Sequence, residues 1–476
     1  MGQEISKSAF SEAEHEEYRA RLRSETAILK RWFDERAFSY DEIPTTGLEM
    51  EAWLVDEDFL PAPRNAEFIE ALADPDVVTE LSKFNFELNA PPQVLDAEFL
   101  ERTHRGLEHT WKKCTAKAGE LGLGAIAAGI LPTVRDEMLQ LEWMSDSERY
   151  RALNDEIFRI RSGELLHIKV DGEDRLEYRC DHIMLEAACT SLQAHLKVNQ
   201  EEAARFYNAS LITAGPMLAV SANSPYLYGK SLWDETRIAA FEQATSLHGF
   251  VDVEGRRVKR VTLGTGYLRR SMLELFVENL SYPALLPELS DKADNLPHLR
   301  LHNGTVWRWI RPIAGFDPDG TPHLRIEQRV MPAGPTLVDS IANLALYYGL
   351  ALALARTQTP PEDEIPFEEA RANFYACAQK GLQADISWGG KRMSVQSLLL
   401  ERLTPLARAA LAKAGVGAAA LDYYFDGVLR PRLISGLNGA RWQRSFVECN
   451  GADFQAMLMR YAELQAGGRP VAEWTV

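Results

Sequence analysis

The chain has 476 residues, of which 46% are hydrophobic and 25% are charged, a composition typical of a globular protein with a large buried core. Its formal net charge of −17 comes from 52 basic and 69 acidic residues. This acidic balance argues against a protein that binds nucleic acid through its overall charge, because such binding needs a basic surface.

The N-terminal 40 residues are charged and periodic, and they end in ILKRWFDERAF, which predicts a helical extension over residues 1–40. They contain no apolar stretch of the kind found in a secretory signal. The five cysteines are scattered without a CxxC pair, which is typical of reduced thiols. We therefore expect a cytoplasmic protein with a single main domain over residues 41–476.

The remaining sequence is rich in strands up to about residue 335 and helical thereafter. Strands are predicted at 45–55, 82–92, 124–132, 184–198, 305–312 and 322–332, with helices at 96–123 and 200–217 between them. The later helices are predicted at 336–357, 366–381, 394–414, 418–428 and 452–465. Strands and helices do not alternate strictly, which predicts an α+β fold with a mostly antiparallel sheet.

The sequence predicts where the second strand ends and whether the longest apolar run is buried. The pair Pro91-Pro92 is expected to end the second strand, because proline cannot donate a hydrogen bond to a sheet. The apolar run from Leu337 to Ala355 contains Asp339 and Asn343, so we interpret it as a buried helix and not as a membrane span.

Four predicted strands share one design, in which one face is apolar and the other is charged or carries amides. The polar faces carry Glu49 and Glu51; Asn85, Glu87 and Asn89; Ser191, Gln193, His195 and Lys197; and Arg325, Glu327 and Arg329. For a single strand, an ordinary amphipathic strand with one face exposed to solvent explains this pattern better than a functional site does. Four strands of the same design favour one polar sheet face that forms the site.

The residue types on this face indicate phosphoryl transfer. Several carboxylates on one face repel each other unless a cation lies between them, and oxygen ligands suit Mg²⁺ or Mn²⁺. Arginines beside such carboxylates can hold phosphate oxygens. The chain has no GxxxxGK[ST] motif, no GxGxxG motif after a strand, no HExxH and no GxSxG. We therefore expect a nucleotide site that belongs to none of the common loop classes.

Some nearby residues have an ordinary structural explanation. His195 is either a packed histidine or a ligand, and Glu186 is either a surface charge or part of the site. Cys189 is expected to be a small core residue.

Several motifs together resemble one family. They are TTGLEMEAWLV, FELNAPP, SLQAHLKV, SANSPYLYGK, HLRIEQRVMP, and NGARWQR followed by GRPVAEW. In this order, from about residue 42 to the C-terminus, they resemble the type 2 glutamate–cysteine ligase family of bacterial carboxylate–amine ligases. The resemblance implies a glutamine synthetase-like fold, in which a curved antiparallel sheet forms a funnel that binds ATP, divalent metal and glutamate.

The resemblance also implies the reaction and the partners. ATP would phosphorylate the side-chain carboxylate of glutamate, and an amine, that of cysteine in the named family, would attack the acyl phosphate. Residues 41–476 would form one ligase catalytic domain that uses small-molecule substrates and Mg²⁺ or Mn²⁺. We further expect a homo-oligomer that binds neither nucleic acid nor membrane.

The family's functional residues map onto named positions of this chain. The implied metal ligands are Glu49, Glu51, Glu87, Glu327 and His195. The implied nucleotide-binding residues are Gln193, His195 and Arg329, and the implied catalytic residues are Arg329, Glu51 and Glu327. The implied substrate-binding residues are Arg237, Arg311 and Asn89. For Arg311, stacking on Trp307 or Trp309 is an equally good explanation.

The acceptor remains open, because the sequence YLYGKSLWDETRIAAFEQ departs from the common family pattern in a loop that we expect on the substrate side. Three alternatives follow: the same site with a different amine acceptor, a kinase of an amine or guanidino group, and a non-catalytic relative that binds nucleotide. The presence of all four glutamates counts against the last.

Overall fold

The computed structural model of the protein describes residues 4–247, 259–291 and 295–476. The predicted extension 1–40 therefore lies partly outside the described residues, at positions 1–3. The strands are β1 Thr45–Val55, β2 Val77–Thr79, β3 Asn85–Val94, β4 Gly124–Ile126, β5 Leu166–Asp171, β6 Arg175–Cys180, β7 Leu192–Val198, β8 Tyr226–Leu227, β9 Lys230–Ser231, β10 Ile310–Phe316, β11 Pro322–Gln328, β12 Asp385–Trp388 and β13 Lys391–Ser394.

One long helix lies near the N-terminus, several helices lie between the strands, and the chain after β11 is mostly helical. They are α1 Glu12–Glu35, α2 Asn65–Leu72, α3 Phe99–Glu120, α4 Glu148–Ile160, α5 Ala203–Ser221, α6 Thr236–Ala244, α7 Leu273–Asn279, α8 Pro297–Asn303, α9 Leu337–Ala355, α10 Pro361–Glu364, α11 Phe367–Lys380, α12 Val395–Leu398, α13 Thr404–Lys413, α14 Ala418–Leu421, α15 Arg430–Ser435, α16 Gly439–Asn450 and α17 Phe454–Ala466. Two π-helical segments, Leu399–Leu403 and Asp422–Leu429, join neighbouring helices.

One antiparallel sheet organises the molecule, in the strand order β10-β11-β7-β1-β3-β2, with β4 also pairing with β1. Its apolar face carries residues such as Met50, Phe86 and Leu196, which are at most 1% exposed. Helices α3, α5 and α9 contact strands of this sheet. Tyr348 of α9 ties the layers together, because its hydroxyl donates to the backbone oxygens of Gly47 (2.9 Å) and His195 (3.2 Å).

The helix α9 confirms the interpretation of the apolar run as a core element. It is long and apolar enough to cross a membrane, but 89% of its most apolar window is buried inside the protein. Thr336 begins it as an N-cap, since the Thr336 hydroxyl accepts from the backbone N–H of Asp339.

Several predicted strand boundaries were wrong; for example, the strand predicted at 305–312 is β10, Ile310–Phe316. Strand β3 continues through Pro91 and Pro92 to Val94, because the prolines lie beyond the stretch that pairs with β2 and opposite a register shift in β1. The predicted strand 184–198 instead begins with a 3₁₀ turn and forms a strand only from Leu192. Only the first three residues of the predicted strand 124–132 pair with β1.

Candidate active site

The polar faces of neighbouring strands line one cavity of about 240 Å³. Residues opposite one another in adjacent strands point to the same face of a sheet. The register places together the pairs Glu51 with Glu87, Glu49 with Gln193, and His195 with Glu327. The polar residues predicted from four separate stretches of sequence, with carboxylates from three of them, therefore occupy one surface.

Both signs of charge are concentrated in this cavity. The carboxylates that line it are Glu49, Glu51, Glu80, Glu87, Glu186 and Glu327, and the arginines are Arg149, Arg300, Arg311, Arg325 and Arg329. Such a lining suits a ligand that carries both a cation and anionic groups.

Glu327 lies at the centre of an arginine cluster and is 1% exposed. Arg311 donates from Nη2 to Glu327 Oε1 at 2.7 Å, and Arg329 donates from Nη1 to Glu327 Oε2 at 3.0 Å. Burial alone would raise the pKa of Glu327, but the charges of Arg311 and Arg329 outweigh it and lower the pKa to about 2. Glu327 is therefore a carboxylate throughout the physiological pH range.

Gln193 connects this cluster to Glu51. Its Nε2 donates to Glu51 Oε1 at 3.1 Å, and its Oε1 accepts from Arg329 Nη1. The other oxygen of Glu51 accepts from the backbone N–H of Ser191 at 2.6 Å. These bonds fix Glu51 in the orientation that faces the cavity.

His195 lies between two carboxylates and an arginine. Its Nε2 is 3.1 Å from Glu49 Oε1 and 3.8 Å from Glu327 Oε1, and its Nδ1 accepts from Arg325 Nε at 3.3 Å. The bond from Arg325 places the imidazole proton on Nε2, which then donates to Glu49. Burial tends to raise the pKa of Glu49, but His195 outweighs it and lowers the pKa.

The ligand atoms of Glu49, His195 and Glu327 lie within 4.8 Å of one another, close enough to hold a single metal ion. His195 could join such a site only if Nε2 lost its proton, which requires Arg325 to release Nδ1. Its hydrogen bonds in this structure suit a proton donor to an anion better than a metal ligand.

The other carboxylates form an acidic half of the cavity. Burial raises the pKa of Glu51 to about 7 and that of Glu87 to about 8, and in each case a neighbouring glutamate adds to the shift. Burial likewise raises the pKa of Glu80 to about 7 and that of Glu186 to about 8. Without a cation, these groups therefore retain protons near neutral pH, and their oxygens are the ligands that Mg²⁺ prefers.

The sequence predictions missed several cavity residues because these do not lie on the main strands. Glu80 follows β2, Arg149 and Tyr150 begin α4, and Arg300 lies on α8. Tyr150 points toward Glu80, with 3.5 Å between its hydroxyl and Oε2. For Glu186 the sequence allows either a surface charge or a site residue. Glu186 lies on the 3₁₀ turn that replaces the predicted strand, and it lines the cavity.

Two predicted substrate residues, Arg237 and Asn89, are not among the residues that line the cavity. Arg237 is 1% exposed, pairs through Nε with Glu235 Oε1 at 3.0 Å, and lies over the ring of Trp309. Its guanidinium therefore makes these contacts inside the protein core. Asn89 instead donates from Nδ2 to Glu87 Oε1 at 3.0 Å and orients that carboxylate.

Arg311 lines the cavity, and its guanidinium donates to the carboxylate of Glu327. The arginine that lies over the ring of Trp309 is Arg237. The hairpin β8–β9 was expected on the substrate side. It instead packs against the C-terminal helices, where Tyr226 contacts the ring of Phe454 and the guanidinium of Arg444. The hairpin residues 226–231, which form the first part of the departing sequence, are not among the residues that line the cavity.

Residues 45–458 match the family model described as glutamate-cysteine ligase family 2 (GCS2). The fold is similar to that of a glutamate–cysteine ligase from Francisella tularensis solved in complex with AMP, with a TM-score of 0.52 and 12% identity over 90% of each chain. It is also similar to a bifunctional glutathione synthetase from Pasteurella multocida, with a TM-score of 0.54 and 12% identity over 89% of this chain and 52% of that one. These likenesses concern the fold alone.

A further relative, tRNA dimethylallyltransferase 2 of Treponema denticola, is 31% identical over 173 residues, which are 34% of this chain. The chain spans 55% of the length of that protein. The family match confirms the resemblance inferred from the motifs. The predicted α+β class, with a curled antiparallel sheet and a helical C-terminal region, is confirmed as well.

Proposed function

Because the chain belongs to glutamate-cysteine ligase family 2, a family of ATP-dependent carboxylate–amine ligases, we propose that it joins glutamate to the amine of cysteine. In the first step an oxygen of the glutamate side chain bonds to the γ-phosphorus of ATP, and ADP leaves. In the second step the amine attacks the acyl carbon, phosphate leaves, and the amine loses a proton. The product is γ-glutamylcysteine.

The observation that supports this proposal most strongly is the gathering of carboxylates from β1, β3 and β11 beside arginines in one cavity. Glu49, Glu51, Glu87 and Glu327 would hold Mg²⁺ or Mn²⁺, and a cation beside Glu51 and Glu87 would offset the burial and carboxylate repulsion that raise their pKa values. The bound ion would supply positive charge to phosphate oxygens.

The chain's own residues have separate tasks in this scheme. Arg329, which is held by Glu327 and Gln193, would neutralise the transferred phosphoryl group. His195 would donate from Nε2 to a phosphate oxygen, and Gln193 would orient Glu51. Arg311 would contact an anionic substrate group. Because neither Arg237 nor Asn89 lines the cavity, this scheme gives them no substrate contact.

The second candidate is the same ligase chemistry with a different, cationic amine acceptor. Glu80 and Glu186 favour it, because they add carboxylates to the acidic half of the cavity beyond those predicted to bind metal. Carboxylates that line a cavity attract an ammonium group. Their oxygens would also accept the proton that the amine loses when it attacks.

ADP and phosphate release tests these candidates directly. The purified protein would receive ATP and Mg²⁺ with glutamate, and then with cysteine or a series of single amines. Release that requires both glutamate and cysteine supports the proposal, and release that requires glutamate and another amine supports the second candidate. ADP release with an amine alone would indicate a kinase, and silence under all conditions would indicate a binding protein.

A further inference from the structure

The N-terminal segment of residues 4–35 lies outside the family match, which begins at residue 45. It nevertheless contacts two helices, α4 and α8, that carry cavity residues. The sheet forms one side of the cavity, whereas Arg149 and Tyr150 of α4 and Arg300 of α8 line other parts of it. The position of these two helices therefore affects the shape and charge of the cavity.

Within the described residues, the N-cap position of helix α8 supplies no side-chain cap. The residue before it, Leu296, has a left-handed backbone (φ 47°) and makes no side-chain cap. Glu25 of α1 supplies the cap, because its Oε2 accepts from the backbone N–H of Leu299 at 2.8 Å and its Oε1 bonds to Nδ1 of His298 at 2.5 Å. Tyr18 adds a bond from its hydroxyl to the backbone oxygen of His298 at 2.7 Å.

Helix α4 begins in the same way. Ser147 occupies its N-cap position without a side-chain cap bond to the helix. Glu4 accepts from the backbone N–H of Arg149 at 3.0 Å, through Oε1, and from the Ser147 hydroxyl at 2.7 Å, through Oε2. Both cavity helices thus receive their first-turn cap from a glutamate of the N-terminal segment.

A missing cap leaves first-turn N–H groups unsatisfied and allows that turn to fray. In α8 the residue that follows the capped amide of Leu299 is Arg300, and in α4 the capped amide belongs to Arg149 itself. Fraying at these positions would displace the guanidinium groups from the cavity. Neither glutamate lines the cavity itself.

We propose that Glu4 and Glu25 are positioning residues, which cap α4 and α8 from the N-terminal segment and so place Arg149 and Arg300 for binding of an anionic substrate. This inference rests on the proposed function for the identity of that substrate, an adenine nucleotide or a carboxylate. It assigns to residues 4–35 a role in substrate affinity.

The test compares Glu25→Ala and Glu4→Ala with Glu16→Ala, an exposed α1 carboxylate, as the matched control. We expect KM for ATP or glutamate to rise about tenfold in the first two variants, with a smaller change in kcat, because misplacement of a binding group by a fraction of an ångström costs affinity. Glu25→Gln, which keeps an oxygen acceptor for the Leu299 amide, should restore most of the affinity.

Binding of Mg²⁺-ADP, followed by calorimetry, separates this inference from the proposed function. Weakened ADP or glutamate binding together with faster amide exchange at Arg149 or Leu299 would support the capping role. Unchanged KM and unchanged ADP affinity, with only a lower Tm, would overturn it. If the wild type binds ADP but shows no glutamate-dependent turnover, the proposed function fails, while the ADP measurement still decides the capping role.

Discussion

Glu51 and Glu87 face each other across the pairing of β1 with β3. Burial and the charge of Glu87 raise the pKa of Glu51, and burial and the charges of Glu49 and Glu80 raise the pKa of Glu87. Glu327, on the same sheet face but two strands from β1 on β11, is surrounded by Arg311 and Arg329 and ionises readily. Residues of one chemical type are thus divided into two environments by their neighbours. The division matches the two parts of a metal-bound nucleotide, which needs anionic ligands for its cation and cationic groups for its phosphates.

Removal of one carboxylate charge should abolish turnover while the fold is retained. We expect Glu51→Gln and Glu327→Gln each to lower kcat by about 10²–10³-fold, the range found when one preorganised electrostatic group is removed. Glu70→Gln, at an exposed position of α2, is the matched control and should remain active. Circular dichroism would verify folding, and retained activity in Glu51→Gln or Glu327→Gln would contradict their role.

The raised pKa values predict how the metal-free protein responds to pH. Glu51, Glu80, Glu87 and Glu186 have folded-state pKa values of about 7 to 8, above the ordinary value of 4.5. The folded state therefore keeps protons that the unfolded state loses, and the free energy of unfolding should fall as pH rises from 5 to 8. The lowered pKa values of Glu49 and Glu327 act only below this window.

Urea unfolding at pH 5.5 and pH 8 measures this slope. The double variant Glu51→Gln/Glu87→Gln should flatten it, and Mg²⁺ should stabilise the wild type more at pH 8 than at pH 5.5. A wild-type slope equal to that of the double variant would contradict the assigned pKa shifts.

At the scale of elements, periodicity predicted the strands that carry the site, because alternation of apolar and polar residues reports which face is buried. β1, β7 and β11 contain the predicted polar faces, and their register could be expected only from the requirement that these faces coincide. The off-sheet residues Arg149 and Arg300 could not be found this way. Their position depends on how α4 and α8 pack, which local sequence does not encode.

The C-terminal helices depend on one buried ion pair. Arg432 of α15 donates from Nη2 to Asp339 of α9 at 2.6 Å, and the two side chains are at most 1% exposed. Arg432→Met should lower the free energy of unfolding by about 3–5 kcal/mol, because it leaves the Asp339 carboxylate buried without its partner. The partly exposed pair of Arg441 with Glu448 is the control, and Arg441→Met should cost less than about 1 kcal/mol. Equal costs in a denaturant titration would contradict this assignment.

At the scale of the whole molecule, the described buried residues form one hydrophobic cluster that includes Tyr18 of α1, Met50 of the sheet and Trp442 of α16. We therefore propose that the N-terminal segment and residues 41–476 unfold together. Differential scanning calorimetry should show one transition, because the apolar packing of the described residues is continuous between these parts. Two resolved transitions would contradict a single domain.

Cytoplasmic location and homo-oligomeric state stay predictions.

Metal location tests the central claim most directly. A crystal of the protein grown with Mn²⁺ and a non-hydrolysable ATP analogue would locate Mn²⁺ by anomalous scattering. We expect at least one peak on the polar sheet face, about 2.1 Å from oxygens of Glu51, Glu87 or Glu327 and bridged to the nucleotide phosphates. Mn²⁺ bound away from these carboxylates, or nucleotide bound outside the cavity, would contradict the claim.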